Sequence, residues 1–468
     1  MTESLHYDLA IVGSGSAAFA TAIEAKRLNA SVVMIEQGVV GGTCVNVGCV
    51  PSKALLAAAE ARHIALVQHF PGITTSAADV DMPTLIAGKD AIVTDLRREK
   101  YLGLAESYGF EIVSGHAKFV AGPSLKVNGE RIEADHYVIA TGAVAWVPPI
   151  EGLDGVGYLT STTAMELDHV PTSLLVIGGN AVGLEQGQLF AHLGAEVTVV
   201  ETLARIAPFE EPEISEALTA VFAGEGIVVL SGTTVSKVER MGENIVVSLD
   251  SSSGREQIRV EAVLVATGRR PNTHNLGLEN VDVTLGSKGD VVVDEQLRTS
   301  NPRIFSAGDV TGLAQFVYVA GKHGVTIADN ALSNAGRTVD YRTMPRVTFT
   351  SPAIASVGMT DEEANALGLV CECRVLPLSY VPRAIVNRDT RGVVKIVSER
   401  ASGRILGVHL LAEGAGDAIL AAIYAMDAGF TVQQLADAWC PYLTMGEAIK
   451  LAAQSFTRDV ATLSCCAS

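Results

Sequence analysis

The sequence is short of aromatic residues and of long apolar stretches. Phe, Trp and Tyr make up 5% of its 468 residues. No uninterrupted apolar stretch approaches the roughly 18 residues that a membrane-spanning helix requires. The first residues also lack the basic segment that precedes the apolar part of a signal peptide. We therefore expect no membrane span and a cytoplasmic location.

Basic residues and cysteines are also scarce. The sequence contains 34 Lys and Arg against 52 Asp and Glu, which gives a net charge of −18. An acidic protein repels a phosphate backbone, so we expect no nucleic-acid partner. The seven cysteines are few for this length and odd in number. A secreted protein held together by disulfides has a different cysteine content, which also favours the cytosol.

Glycine, by contrast, is abundant, and one glycine-rich loop follows the first apolar strand. Residues 13–18 read Gly-Ser-Gly-Ser-Ala-Ala, the pattern of a dinucleotide-binding loop. Gly13 allows the tight turn, Gly15 lets a pyrophosphate approach the helix N-terminus, and Ala18 lets the helix pack closely on the strand. Glu36 ends the next predicted strand and could bind a ribose hydroxyl.

A second glycine-rich loop follows another apolar strand. Residues 178–183 place glycines at the first and third fingerprint positions, Gly178 and Gly183, with Asn at the second. Glu201 ends the following strand and favours NADH, because its carboxylate would repel a 2′-phosphate. Arg205 lies four residues further on and could bind that phosphate. The residues therefore leave NADH and NADPH open.

The two loops define a duplicated plan. Each predicted unit contains a later strand that ends in Ala-Thr-Gly, the first at Thr141 and Gly142 and the second at Gly268. The chain returns to the first unit around Asp309, and from about residue 344 the pattern changes to alternating strands and an apolar helix. We predict an α/β fold with two Rossmann-like domains and an α+β C-terminal domain. The predicted segments are 1–148 and 271–343 for the first domain, 149–270 for the second and 344–468 for the third.

A pair of cysteines lies in the segment 41–53, Gly-Gly-Thr-Cys-Val-Asn-Val-Gly-Cys-Val-Pro-Ser-Lys. We expect Cys44 and Cys49 in the first turns of one helix, where residues four or five apart share a side and the N-terminus lowers thiol pKa. Zinc would need four ligands, and no second pair has suitable spacing. A buried structural pair is the alternative. Lys53 can add positive charge, and Glu185 is a candidate partner for it.

A second pair, Cys465 and Cys466, lies near the end of the sequence. Thiolates are soft ligands and suit soft cations, so a mobile pair can capture such an ion. The alternative is an incidental exposed thiol pair. We expect the remaining cysteines, Cys371, Cys373 and Cys440, to be structural.

The segment 41–53, together with Ala-Gly-Asp at 307–309, resembles the flavin disulfide oxidoreductases, the class-I pyridine nucleotide-disulfide oxidoreductase family. Glutathione reductase and dihydrolipoyl dehydrogenase belong to that group. The resemblance runs from about Tyr7 to the C-terminus. It implies FAD at the first glycine loop, a nicotinamide coenzyme in the second domain and a homodimer formed by the third. The candidate cofactor-binding residues are Gly13, Gly15, Ala18, Glu36, Gly42, Thr43, Lys53, Thr141, Gly142, Gly178, Gly183, Glu201, Gly268, Asp309, Gln315, Phe316 and Val317.

The resemblance also implies roles for the dithiol residues. Cys49 takes the position of the cysteine against the flavin, and Cys44 that of the exchanging cysteine. Lys53 and Glu185 match the family's ion pair near the flavin.

One departure from the family pattern concerns substrate. Thiol-reducing members carry His-Pro-Thr-x-x-Glu near the C-terminus, and that His protonates the leaving thiolate. Here Thr444 and Glu447 keep the register, but Tyr442 stands in place of the His. A phenol with a pKa of about 10 is a poor proton donor near neutral pH, so we expect weak disulfide reduction. Reduction of a thiolate-bound metal ion needs no such proton.

The remaining C-terminal features resemble the mercury(II)-reducing members of the family. These features are Tyr380 with Val-Pro-Arg-Ala after it, the segment 315–319, and Leu-Ser-Cys-Cys at 463–466. The resemblance implies reduction of Hg(II) to Hg(0) with FAD and NADPH, NADH being possible. Small thiols would bring the ion, and the C-terminal pair would pass it to the partner subunit's dithiol. Tyr380 and Tyr442 are candidate ligands or gate residues. The alternatives are a dihydrolipoyl dehydrogenase or glutathione-reductase-like enzyme and a metal-sequestering flavoprotein without turnover.

Overall fold

The computed structural model describes residues 5–67 and 70–462. The contacts divide the chain into two compact units. The first unit contains the residues up to Ala54, Pro83–Trp146 and Gly268–Val339. The second contains Leu55–Met82, Val147–Thr267 and the residues from Asp340 onward. Among the described residues, no helix has both the length and the apolar character to cross a membrane.

The first unit is built on a seven-stranded sheet with a parallel centre. Its first strand, Leu5–Val12, is buried from Leu9 onward and pairs in parallel on both sides. Apolar runs such as Val-Val-Met-Ile at 32–35 suit such strands, because both faces of a parallel sheet are covered. In spatial order the strands are Glu111–Ser114, Val32–Glu36, Leu5–Val12, Glu130–Ile139, Ser124–Val127 and Ala117–Val120, with Ile304–Ser306 also paired to Glu130–Ile139.

Helices cover this sheet, and two of them approach each other closely. Helix Ser16–Arg27 packs against helix Val317–Ser333. A Cβ on Gly324 would lie 2.4 Å from the carbonyl oxygen of Ala17, so only glycine permits this approach. The other helices of this unit are Gly42–Asn46, Met82–Arg97 and Gly103–Tyr108, with a π-helical turn at Arg98–Leu102. Helix Cys49–Leu66 begins in this unit, and strands Ala143–Ala145 and Arg269–Pro271 pair as a separate antiparallel ribbon.

The second unit contains a second parallel sheet, consistent with the duplicated plan. Its spatial order is Val228–Ser231, Glu196–Glu201, Ser173–Ile177, Ala262–Val265 and Leu159–Thr160. Helices Ser161–Ala164, Ala181–Leu193 and Pro212–Gly224 accompany it. An antiparallel meander of Thr233–Met241, Asn244–Ser251 and Gly254–Val260 follows.

The C-terminal part of the second unit is a five-stranded antiparallel sheet with helices. Strand Ile405–Ala412 is central and buried along its whole length. The strand order is Pro345–Thr348, Ala353–Gly358, Ile405–Ala412, Val393–Glu399 and Cys371–Pro377. The helices are Asp361–Ala366, Pro382–Asn387, Ala415–Asp427, Val432–Asp437 and Gly446–Gln454.

The predicted fold class is confirmed: two parallel α/β nucleotide-binding sheets and an antiparallel α+β part are present. The alternating strands predicted after residue 344 are observed, among them Val393–Glu399 and Ile405–Ala412. The four domain segments remain predictions.

Candidate active site

The first glycine loop has a backbone that only glycine can adopt. Gly13 has a φ of +109°, and a Cβ there would lie 2.3 Å from the carbonyl oxygen of Ala140. Gly42 has a φ of +64°, and its Cβ would lie 2.6 Å from the Cα of Gly15. The loop and the Gly-Gly turn therefore approach each other at backbone distance, at the N-terminus of helix Ser16–Arg27.

The carboxylate of Glu36 is held at the end of its strand. The Ser14 hydroxyl donates a hydrogen bond of 2.5 Å to it, and the Gly38 backbone N–H donates another of 2.7 Å. Ser14 is one of the loop residues, so the acid and the loop are fixed together. Sequence reasoning did not single out Ser14.

These residues surround one cavity of about 330 Å³ in the first unit. The absence of an acidic residue from the first turn of helix Ser16–Arg27 leaves its positive end open to an anion. Ala18 is fully buried in that helix and packs in the core. Seven predicted cofactor-binding residues line the cavity, namely Gly13, Gly15, Glu36, Gly42, Thr43, Thr141 and Gly142.

Asp309 follows the last strand of the same sheet. Its nearest basic group is the Arg269 guanidinium, whose Nε lies 3.8 Å from its carboxylate. Burial raises the pKa of Asp309, and Arg269 opposes this shift.

His323 supports the loop that carries Asp309, and the sequence reading missed it. The backbone N–H of Gly308 donates a hydrogen bond of 3.2 Å to its Nδ1. The side chain is fully buried, and this burial lowers the pKa of His323 to about 4. A neutral imidazole therefore accepts the bond at neutral pH. The available signal was a histidine within the apolar segment that forms helix Val317–Ser333.

Gln315, Phe316 and Val317, which the sequence predicts to bind a cofactor, lie at the N-terminus of that helix. Phe316 is the N-cap residue, and its ring stacks on that of Tyr318 with centroids 5.2 Å apart. Gln315 and Val317 are exposed. Their contact with a coenzyme remains a prediction.

Cys44 and Cys49 do not share a helix, which corrects the sequence expectation. Cys44 lies in the short helix Gly42–Asn46, and Cys49 is the first residue of helix Cys49–Leu66. The chain turns between them at Gly48, where a Cβ would lie 2.9 Å from the Thr43 carbonyl oxygen. The close packing at this turn, rather than helical periodicity, brings the two side chains together.

The surroundings of Cys44 favour its protonated form. A hydrogen bond from the Cys44 thiol to Cys49, reinforced by burial, raises the pKa of Cys44, and the charge of Lys53 opposes this rise. The expectation of a lowered thiol pKa is therefore wrong for Cys44. Cys49 is the exposed member, and it stands at the N-terminus of the longer helix.

The turn that carries Cys44 is held by residues that sequence reasoning did not find. The Asn46 amide donates to the carbonyl oxygens of Val40 and Gly42 at 3.1 and 2.9 Å. The Arg97 guanidinium donates to the Asn46 side-chain oxygen at 3.2 Å. The Tyr101 ring lies beside the turn, 3.5 Å from where a Cβ on Gly41 would stand. Two of these supports come from the segment 82–102, which carries no recognisable motif.

The second glycine loop, in the second unit, has the same close backbone contacts and the same type of carboxylate hydrogen bond as the first. Gly178 has a φ of +113°, and a Cβ there would lie 2.5 Å from the Ala266 carbonyl oxygen. A Cβ on Gly183 would lie 1.9 Å from the carbonyl oxygen of Gly178. The Glu201 carboxylate accepts the Gly179 backbone N–H at 2.7 Å, as Glu36 accepts that of Gly38.

Arg205, the candidate partner of a 2′-phosphate, is turned onto the backbone. Its guanidinium donates to the carbonyl oxygens of Pro208 and Glu210 at 3.0 and 3.2 Å. Gly268 follows strand Ala262–Val265, has a φ of +118° and accepts the backbone N–H of Trp146 at 2.9 Å.

Glu185 is buried in helix Ala181–Leu193. Its carboxylate accepts the backbone N–H of Phe349 at 2.9 Å. Lys53 lies one helical turn after Cys49. Because these two residues belong to different units, their ion pair remains a prediction.

The two candidate tyrosines are both on the surface of the second unit. Tyr442 is 48% exposed and Tyr380 is 47% exposed. Tyr442 lies in a tight turn in which the Thr444 hydroxyl donates to the Pro441 carbonyl oxygen at 2.9 Å. Glu447 is buried, and burial raises its pKa. Cys465 and Cys466 lie outside the described residues.

The other cysteines lie in the second unit. Cys371 and Cys373 pack on the same small apolar cluster of Ala364, Val397 and Leu406. Burial raises the pKa of both thiols, that of Cys373 to about 12. Burial also raises the pKa of the Cys440 thiol. Their expected structural role remains a prediction.

Comparison with known proteins agrees with this geometry. Residues 7–324 match the family described as pyridine nucleotide-disulphide oxidoreductase, and residues 344–453 match its dimerisation domain. The chain belongs to the pyridine nucleotide-disulphide oxidoreductase family.

Particular relatives narrow the similarity. The chain is 57% identical over 467 residues to a mercuric reductase of Streptomyces lividans, covering 98% of each chain. It is 48% identical to a mercuric reductase of Bacillus cereus, covering 98% of this chain and 73% of the relative. A similar solved structure is a Cu(II) complex of the HOCl-induced flavoprotein disulfide reductase RclA from Escherichia coli. It is 30% identical with a TM-score of 0.87, covering 97% of this chain and all (100%) of the other.

Proposed function

We propose that this chain is an FAD-dependent mercury(II) reductase that reduces thiol-bound Hg(II) to Hg(0) with NADPH. The observation that carries the proposal is the Cys44–Cys49 contact, in the same unit as the cavity that Gly13, Gly15 and Gly42 line. We call these three glycines the glycine cradle. The whole-chain similarity to mercuric reductases supports the choice of substrate.

The residues of the first cavity fit FAD. The missing side chains of Gly13, Gly15 and Gly42 leave space for a diphosphate at an unopposed helix N-terminus. Glu36 offers a fixed carboxylate to ribose hydroxyls. When bound, FAD supplies the two-electron link between a nicotinamide hydride and the dithiol.

The dithiol holds the substrate. Cys44 and Cys49 bind Hg(II) as two thiolates, and the Cys44 proton leaves as the metal displaces it. Oxidation of NADPH to NADP⁺ provides two electrons, Hg²⁺ becomes Hg(0), and one proton is released. Elemental mercury then leaves, because it has little affinity for thiolate. Lys53 places a positive charge beside the pair and favours the thiolate form.

Tyr442 accounts for the choice of a metal over a disulfide. Cleavage of an organic disulfide needs a proton donor for the leaving thiolate, and a phenol is too weak an acid for that role near pH 7. Transfer of two electrons to bound Hg(II) returns both cysteine thiolates to the protein. Cys44 regains the proton that it lost on metal binding, and no departing thiol has to be protonated. Tyr442 and Tyr380 are instead proposed as ligands or gate residues for the incoming ion.

The coenzyme is proposed to be NADPH, on the family resemblance. Glu201 favours NADH, because its carboxylate is bonded to the glycine loop and would repel the 2′-phosphate of NADPH. Arg205 can serve a 2′-phosphate only if its guanidinium leaves the carbonyl oxygens of Pro208 and Glu210. Comparison of kcat/KM for the two coenzymes decides between them.

The working form is proposed to be a cytoplasmic homodimer, in keeping with the dimerisation domain matched at 344–453. Cys465 and Cys466 of each subunit take Hg(II) from small thiols and pass it to the dithiol of the partner subunit. Exchange between thiolate pairs keeps the soft ion bound to sulfur throughout.

The test is NADPH oxidation with and without HgCl₂ in excess small thiol, beside parallel reactions with oxidised lipoamide and oxidised glutathione. Mercury-dependent turnover with silent disulfides is the expected result. Strong disulfide turnover without a mercury response would instead identify a dihydrolipoyl dehydrogenase or glutathione-reductase-like enzyme. Stoichiometric mercury binding without NADPH oxidation would indicate a sequestering flavoprotein.

A further inference from the structure

A cluster of two histidines and two glutamates in the second unit contains none of the residues assigned a role above. It draws on three helical segments. Glu60 and His63 come from the later turns of helix Cys49–Leu66, and His192 comes from the last turn of helix Ala181–Leu193. Glu225 is the residue that ends helix Pro212–Gly224. The helices thus bring nitrogen and carboxylate donors from distant parts of the sequence to one place.

Three of these side chains converge on one point. One donor atom from each of His63, His192 and Glu225 lies within 4.8 Å of the other two. The Nε2 of His192 is 3.1 Å from one Glu225 carboxylate oxygen, and the Nε2 of His63 is 3.7 Å from the other. The imidazole rings are parallel, with centroids 3.8 Å apart. A single ion can therefore reach all three groups with small adjustments of their side chains.

Glu60 orients the central histidine. Its carboxylate lies 3.3 Å from the Nδ1 of His192, and its other oxygen accepts the Ser351 hydroxyl at 2.9 Å. Without a metal ion, the Nε2 of His192 donates its hydrogen to the Glu225 carboxylate, so an ion bound there would displace a proton from Nε2. A histidine held by a carboxylate on the far side of its ring is the common arrangement around protein-bound metal ions.

The carboxylate of Glu225 is also positioned by neutral and paired groups. The Gln188 amide donates to it at 2.8 Å, and Arg391 donates at 2.6 Å. Arg391 is itself paired with Asp389 through two hydrogen bonds of 2.8 Å, so its charge is already balanced. The side chains of His192 and Glu225 are 5% and 6% exposed. The two glutamate carboxylates are therefore partly dehydrated, and a bound cation would offset their negative charge.

We propose that His63, His192 and Glu225 bind a borderline divalent cation, best matched by Zn²⁺, with Glu60 as the positioning residue. Two imidazoles and a carboxylate are typical zinc ligands, and a water or Glu60 can complete four-coordination. Hg(II) prefers sulfur, so this site differs in ligand chemistry from the dithiol and does not depend on the proposed reductase activity. An ion here would tie together three helical segments of the second unit.

The experiment uses the FAD-loaded enzyme with its dithiol oxidised, freed of metal by a chelator and then exposed to Zn²⁺ or Co²⁺. The comparison is between wild type, His63→Gln and, as matched control, His169→Gln. His169 also contacts two carboxylates, Asp168 and Glu261, but lies on the surface. Metal content after gel filtration, cobalt ligand-field absorption and the Tm shift on metal addition are measured.

We expect wild type and His169→Gln each to bind one more Zn²⁺ per subunit than His63→Gln binds. The Tm of wild type and of His169→Gln should rise when metal is added. The spectrum of Co²⁺ bound at this site should show ligand-field bands without thiolate-to-metal charge-transfer absorption. Glu60→Gln, which leaves all three ligands in place, should weaken binding by roughly tenfold to a hundredfold. Equal metal content and equal Tm shifts in wild type, His63→Gln and Glu60→Gln would overturn the proposal and leave an ion-pair cluster. The Tm of each metal-free variant verifies that it is folded.

Discussion

The thiol of Cys44 donates a hydrogen bond to Cys49 across a break between two helices. This hydrogen bond and the partial burial of Cys44 keep the proton on the Cys44 sulfur. Cys49, at the start of the longer helix, accepts the hydrogen bond. The Cys44 sulfur therefore enters the reaction as a thiol. Metal binding has to remove the Cys44 proton.

Replacement of either cysteine by serine should abolish mercury reduction. Each variant loses one of two sulfur ligands and the dithiol electron path, so kcat should fall by roughly a hundredfold or more. Cys371→Ser is the matched control and should keep full activity, because it alters a thiol outside the dithiol. Mercury-dependent NADPH oxidation is the assay. Retained turnover in Cys44→Ser or Cys49→Ser would refute the inner-dithiol assignment.

Replacement of Gly13 by alanine should yield protein without flavin. The new Cβ would lie 2.3 Å from the Ala140 carbonyl oxygen, and the φ of +109° is strained for alanine. The ratio of flavin absorbance to protein absorbance measures the loss. Gly88→Ala, in helix Met82–Arg97 with no atom near its added Cβ, should keep the wild-type ratio. A Gly13→Ala protein with its full flavin content would contradict the proposal that FAD binds at this glycine loop.

The buried His323 should make the fold sensitive to mild acid. Its pKa is lowered from 6.5 to about 4, so the unfolded chain takes up a proton within that interval and the folded protein does not. Stability is therefore unaffected above pH 6.5 and decreases as the pH falls toward 4, by about 2 kcal/mol at pH 5. Urea unfolding at pH 7 and pH 5 should show a smaller loss for His323→Gln, which keeps an acceptor for Gly308. An unchanged loss would assign the acid sensitivity elsewhere.

Replacement of Tyr442 by histidine should shift the activity toward disulfides. The imidazole restores a proton donor titrating near neutral pH, and general acid catalysis is worth roughly a hundredfold or more. Turnover of oxidised lipoamide or glutathione should rise while that of Hg(II) does not. Tyr442→Phe separates the roles of the ring and the hydroxyl. Disulfide turnover in Tyr442→His as low as in wild type would mean that residue 442 does not set the substrate.

Removal of Cys465 and Cys466 should impair delivery of the metal rather than its reduction. Kinetics with Hg(II) carried by excess small thiol should show the larger defect, in kcat/KM. A single-turnover measurement with the ion already on Cys44 and Cys49 should be unaffected. Unchanged steady-state kinetics in the double variant Cys465→Ser, Cys466→Ser would refute the delivery role.

Much of the nucleotide-binding architecture could be predicted, because its determinants are local. Gly13, Glu36 and Gly178 follow or end apolar strands, and a strand, a turn that needs glycine and a helix N-terminus are all encoded within a few residues. The dithiol motif was likewise recognisable at 41–53. These features established the family, the cofactor type and the residues worth testing.

The three-dimensional arrangement of the chemistry was decided by packing between distant segments. The sequence placed Cys44 and Cys49 on one helix, whereas the fold separates them at Gly48, and the pKa of Cys44 is raised rather than lowered. His323 beside Gly308, and His63 beside His192 and Glu225, come together only when their helices are packed. Hydrogen bonds and burial of this kind depend on neighbours brought from elsewhere in the chain, and no local periodicity encodes those neighbours.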